Sequence, residues 1–270
     1  MRAEQAAAQA RRILFLSYDG MTDPLGRSQV LPYLTGLAAL GHRFTLVSCE
    51  KPGRSPTEWQ AVRLICADAG IEWRPLPYRK FPPILSTIID LAAMRRLAGR
   101  LQATRSFDIV HCRSYLTALI GLWMKRRFGT RFLFDMRGFW VEERFERGIW
   151  PERNSLFRAV GRFFKSRERQ FLASADGIVC LTGAARHRLT GLAGGSEIAA
   201  PVAVIPCCVD LALFDPAGGS ARKSGRAALG LGTSVPVMLY LGTINGAYLF
   251  DDIFAAFRAY RTLRPGARFL

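Results

Sequence analysis

The chain has 270 residues, half of them hydrophobic, enough for one large α/β domain or two smaller ones. Lys plus Arg outnumber Asp plus Glu by 38 to 21, a formal charge of +17 that suits an anionic partner: nucleic acid, a phosphate-bearing ligand or an acidic membrane surface. The six cysteines form no C-x-x-C pair and no Cys/His cluster of zinc spacing, so a metal site is not expected, and a reducing compartment is.

The first strand is expected at 12–17, RILFLS; ILFLSY is too short for a signal-peptide core and continues into that strand. The loop that follows, SYDGMTDPLGRSQ, is no dinucleotide fingerprint, because Gly20 and Gly26 are too far apart. Ser28 reads as the N-cap of a helix over 28–40, whose free N–H groups would face an anion or a sugar hydroxyl. A plain strand-to-helix connection is the other reading of the same residues.

Strands follow at 44–49, 71–76, 108–112, 131–135, 177–182, 202–206 and 235–242. Helices are expected at 57–69, 84–103, 114–127, 153–173, 183–192 and 248–263. This alternation predicts a doubly wound, mainly parallel α/β sheet with helices on both faces. No span reaches transmembrane length, since FPPILSTIIDLAAM is interrupted by Pro82, Pro83 and Asp90.

Ligands of open α/β sheets sit beyond the carboxyl ends of strands. FDIVHCRSY delivers Arg113, Ser114 and His111 there, His111 reading equally as a satisfied core histidine. FDMRGFWVEERFERGIW delivers Arg137 and Gly138, with Phe139 and Trp140 as a stacking floor or, in the other reading, forms a solvated charged helix start with Trp140 and Trp150 as packing anchors. Glu142 and Glu143 would orient Arg137 or meet hydroxyls. The helix at 153–173 is two-faced, its stripe of Arg158, Arg162, Lys165 and Arg169 either solvated or facing acidic lipid. No RNA-binding signature or helix-turn-helix pattern accompanies it, so nucleic acid is not an expected partner.

ILFLSYDGMTDPLGRSQVLPYL, FDIVHCRS, FDMRGFWVEERFERGIW, ADGIVCLTGAARHRL, VAVIPCCVDLALFDP and LYLGTINGAYLFDDIFAAF occur in this order across nearly the whole chain. Together they resemble the GT-B glycosyltransferases of the large retaining family four. The resemblance implies two facing Rossmann-like domains: an acceptor-side domain over 1–206, a linker over 207–234 and the first strand and helix of a donor-binding domain over 235–270. It implies transfer from a nucleotide-sugar donor to a glycan or lipid-linked acceptor in bacterial surface polysaccharide or glycolipid synthesis. No metal or other cofactor is implied, and the expected place is the cytoplasm, at or near the inner membrane face.

By position, Asp19, Gly20, Gly26, Ser28, His111, Arg113, Arg137 and Gly138 would line the acceptor side, and Gly242, Thr243 and Asn245 the donor side. The chain departs from the pattern in three places: no Gly-Gly pair in the first loop, Arg137 where many relatives have histidine, and no cation in GTINGAY. No catalytic residue is therefore assigned. The family's Glu-x7-Glu element would lie beyond Leu270, so the chain is expected to be an incomplete form with little turnover alone. The alternative is a non-catalytic module that binds an acceptor or docks on a membrane.

Overall fold

The structure is a computed structural model that describes residues 10–192, 198–209, 211, 219–242, 244 and 248–270. It divides into two compact units, up to Cys208 and from Val209 onward. The first is built on seven parallel strands: β1 (Arg12–Ser17), β2 (Arg43–Glu50), β3 (Glu72–Pro77), β4 (Ile109–Arg113), β5 (Arg131–Asp135), β6 (Gly177–Cys180) and β7 (Val202–Val204). They lie in the order β3-β2-β1-β4-β5-β6-β7, so the direction of winding reverses between β1 and β4. Ser17 lies beside Arg113 in the β1–β4 register, which brings the two strand ends together at this switch point.

Alternation along β1 explains why both faces are covered. Ile13 and Phe15 enter one core with Leu34, Val62 and Cys66; Leu14 and Leu16 enter the other with Met94, Phe132 and Phe171. The first core is closed by α2 (Leu31–Ala39) and α3 (Pro56–Asp68), α1 (Pro24–Gln29) preceding them. The second is closed mainly by α4 (Leu85–Arg105), α5 (Ser114–Phe128), α6 (Trp140–Glu146) and α7 (Ser155–Ser174), with α8 (Gly183–Leu192) beside them.

Local chemistry sets the helix limits. A capping box of Ser55 and Glu58, with Pro56 after it, starts α3. Asn154 accepts the Leu156 N–H at 2.9 Å to start α7, and Gly129, at φ 71°, ends α5 behind Lys125, Arg126 and Arg127. Gly121 lets α5 press on the sheet: a Cβ there would lie 2.5 Å from both Cys112 Sγ and the Phe132 ring.

One expectation changes and one open reading is decided. The helix expected over 28–40 is two helices broken at Val30, because Pro32 has no N–H and its ring opposes a helical carbonyl four residues earlier. The acidic, aromatic run after β5, open between a stacking floor and a charged helix start, contains a short helix, α6.

In the second unit, β8 (Val237–Met238) pairs in parallel with β9 (Arg268–Phe269), joined through α10 (Phe250–Leu263). Phe254 and Phe257 pack α10 on Phe269 at ring distances of 5.6 and 5.2 Å. The strand expected over 235–242 is thus only two residues long, and the stretch read as linker includes α9 (Gly219–Ala228). Among the described residues no helix is long and apolar enough to cross a membrane.

Candidate functional site

The loop after β1 is tied down by a carboxylate from the end of β2. Glu50 accepts the N–H groups of Met21 at 2.7 Å and Thr22 at 3.0 Å, and the hydroxyls of Thr22 and Ser48 at 2.6 Å each. The free N–H groups expected here for an anion are therefore partly used by the protein's own anion. Gly20 is required by the same packing, since a Cβ would stand 2.8 Å from Glu50 Oε2; at Gly26 it would stand 2.2 Å from the Gly20 carbonyl oxygen.

Ser28 is not an N-cap. Helix α1 begins four residues earlier, behind Asp23, because Pro24 supplies a helical φ and needs no N–H partner at that position. The exposed Ser28 donates to the Pro24 carbonyl inside the helix. Asp23 is held by Lys51 at 2.8 Å and by Arg54.

At the switch point, charge converges. Arg113, 4% exposed, donates Nε to Asp19 Oδ2 at 3.4 Å and places Nη1 3.9 Å from Asp135 Oδ2. The same Oδ2 lies 3.5 Å from His111 Nε2, and Asp135 Oδ1 lies 3.8 Å from Arg137 Nη1. Burial and the neighbouring Arg137 cation push the Arg113 guanidinium below its ordinary range, against the pull of Asp135 and Asp19. His111 Nε2 and Asp135 Oδ1 are buried without a hydrogen-bond partner. Buried polar atoms rarely stay unsatisfied, and both belong to a cluster in the crevice where ligands of this architecture bind. Ser114 and Arg137, at φ 69° and 62°, hold left-handed backbone at the ends of β4 and β5, a strain that concentrates at ligand sites.

Next to this cluster, a cavity of about 350 Å3 is lined by Arg137, Gly138, Phe139, Glu143, Thr182 and Arg188, among others. Arg188 lies 3.9 Å over the Phe139 ring. A Cβ on Gly138 would meet Glu143 Oε1 at 2.2 Å, so the glycine makes room for that carboxylate. The acids do not orient Arg137 as expected: Glu142 pairs with Lys165 at 2.8 Å and Arg188 at 3.4 Å, and the carboxylate beside Arg137 is Asp135.

Lys165, expected among the membrane-facing cations, is part-exposed. It is held between Glu142 and Glu168, because the start of α6 brings an acid over α7. Arg158, Arg162 and Arg169 are exposed, Arg158 donating to the Glu152 carbonyl. Trp140 is a packing anchor, edge-on to Trp150 and Phe164 and stacked on Tyr115, whereas Phe139 faces the cavity.

Of the residues expected on the donor side, Gly242 lies under Tyr240, whose hydroxyl would be 2.8 Å from an added Cβ. Thr243 and Asn245 lie outside the described residues. Among the described residues no group of three or more His, Cys, Asp or Glu side chains could hold a metal ion. Sequence reasoning missed Glu50 and Asp135, although both end strands on the carboxyl side, which was the available signal.

A parallel, doubly wound domain with a charged crevice at its switch point defines the Rossmann-like class found in GT-B glycosyltransferases. The fold agrees with sucrose-phosphate synthase from Thermosynechococcus elongatus (TM-score 0.64, 16% identity, 96% of this chain, 61% of that one). It also agrees with Anabaena HepE, solved with UDP and glucose (TM-score 0.57, 11% identity, 96% and 69%). The family model described as glycosyl transferase 4-like domain matches residues 27–208, and the chain belongs to that family. D-inositol 3-phosphate glycosyltransferase from Kineococcus radiotolerans is 32% identical over 145 residues, 53% of this chain. That match spans 31% of the relative's own length.

Proposed function

We propose that the protein acts in a retaining glycosyltransferase reaction, moving a hexose-type sugar from a nucleotide-sugar donor to a glycan or lipid-linked acceptor. The setting would be bacterial surface polysaccharide or glycolipid synthesis at an acidic membrane face. The observation that carries the reading is the Arg113, Asp135, His111 and Arg137 cluster at the switch point of a glycosyl transferase 4-like domain. There, Arg113 and Arg137 would hold a phosphate or hydroxyl of the acceptor, and the unsatisfied atoms of His111 and Asp135 would meet its hydroxyls. The neighbour solved with UDP and glucose supports a nucleotide-sugar donor. The reaction is proposed to need no metal: the bond from the anomeric carbon to the diphosphate oxygen breaks, the acceptor oxygen bonds that carbon on the same face, and its hydroxyl proton passes to the departing diphosphate.

The test is release of nucleoside diphosphate from a panel of nucleotide sugars, with and without acceptor, using the whole protein as its source makes it. Acceptor-dependent release that falls at least about tenfold in Arg137→Ala is the expected result. Acceptor binding with no release from any donor would replace this reading with a non-catalytic binding module.

A further inference from the structure

A second, larger concavity in the first unit is not explained by the charged cluster. It has a volume of about 580 Å3, within the range of small-molecule sites, and lies among α4, α5, α6 and α7. Its apolar surface includes Leu116, Leu119, Val160, Phe163 and Trp140, none of them fully buried. Apolar side chains left part-exposed along a groove lose the free energy that burial would return.

Four further observations indicate what fills it. The lining includes Tyr18, the residue before Asp19 in the switch-point cluster, fixed there by donating its hydroxyl to the buried Asp90. The charged side chains lining the groove are Lys80 and Arg144, with no acid among them, and Arg144 lies 5.0 Å over the Trp140 ring. Within the segment that supplies Lys80, Pro83, Ile84 and Ile88 to the lining, Phe81, Leu85 and Ile88 are 72%, 52% and 57% exposed. Ile84, which also lines the groove, holds φ 67°, costly for a β-branched residue and typical of backbone shaped around a ligand. An apolar trough with cations and no acids, running to a polar crevice, is complementary to an amphiphile with an anionic head.

We infer that this groove holds the hydrocarbon tail of a phosphate-bearing lipid acceptor, with its head beside Arg144 and Tyr18, next to Asp19 and Arg113. This deepens the transferase reading and rests on it only for the word acceptor, since tail binding requires no donor.

Trp140 and Trp150 both line the groove and provide the probe. The experiment titrates the whole protein with farnesyl phosphate, farnesol and inorganic phosphate, following tryptophan emission, with W140F and W150F to assign the signal. Saturable change is expected with farnesyl phosphate, about tenfold weaker with farnesol, and none with inorganic phosphate. Val160→Gln and Leu119→Gln, checked as folded by circular dichroism, should each weaken the isoprenyl phosphate at least about tenfold, and Arg144→Gln should remove the preference over farnesol. No emission change, or equal binding in both glutamine variants, would overturn the assignment. Saturable binding without transfer from any nucleotide sugar would keep the groove and remove the transferase. Transfer to water-soluble glycans, with the glutamine variants binding farnesyl phosphate like wild type, would do the reverse.

Discussion

Arg113 reaches from the end of β4 across the switch point to Asp19 beyond β1, closing a 3.4 Å hydrogen bond between segments 94 residues apart. The arginine is almost fully buried while Asp19 keeps 46% of its side chain exposed, so Asp135 carries much of the compensation for a buried cation. Removing Arg113 takes one of the two arginines from Asp135 in a dry site, leaving Arg137 at 3.8 Å, and also breaks the bond to Asp19. Arg113→Ala should therefore cost about 3 kcal/mol in urea unfolding. An unchanged midpoint would show that solvent already screens the group.

Glu50 is the second buried acid whose partners define a loop. Four donors converge on it, so Glu50→Ala strands two main-chain N–H groups and two hydroxyls. The expected loss is about 3 kcal/mol or more, whereas Thr22→Val, which removes one hydroxyl, should cost about 1 kcal/mol. Hydrogen exchange at Met21 and Thr22 should accelerate in Glu50→Ala; protection as in wild type would contradict the role.

Two glycines with similar close contacts should respond differently to alanine. At Gly121 the new methyl meets Cys112 and Phe132, both fully buried, and neither can move without disturbing the core. A cost of about 2 kcal/mol or more is expected. At Gly138 it meets the end of the Glu143 side chain, which can rotate away, so Gly138→Ala should cost less than about 1 kcal/mol and act on ligand binding instead. Equal thermal midpoints for the two variants would argue against this packing.

Asp176 gives a pH dependence of defined sign. Partial burial opposes its ionisation, yet hydrogen bonds from Lys125 at 2.7 Å and the Phe132 N–H at 2.8 Å outweigh that and hold the carboxyl below its ordinary range. A carboxyl lowered in the folded state contributes stability above its unfolded pKa and loses it as pH falls through the folded one. Asp176→Asn should thus be less stable than wild type at pH 7, by under about 1 kcal/mol because the side chain is 37% exposed, and the gap should narrow below about pH 4. A gap independent of pH would mean that the amide loses packing rather than charge.

Several features were legible before any coordinates. Apolar runs of strand length, alternating with helical stretches, placed seven parallel strands within a few residues, because both-face burial demands such runs. His111, Arg113 and Arg137 could be located because strand ends in this architecture face the crevice. The helix break at Val30 was signalled by Pro32 and passed over, and the run holding α6 stayed open between two readings because only the fold shows that Trp140 packs inward and that Glu142 pairs with Lys165 and Arg188.

By itself the sequence determined the periodicity and that His111, Arg113 and Arg137 reach the carboxyl edge, since each depends on neighbours a few positions away. Only the tertiary structure decided which acid meets which cation, that Glu50 fills the loop expected to greet an anion, and that Lys165 is tied down while an apolar groove stays open. Those outcomes depend on contacts between residues tens of positions apart, which chain folding brings together and no local pattern encodes.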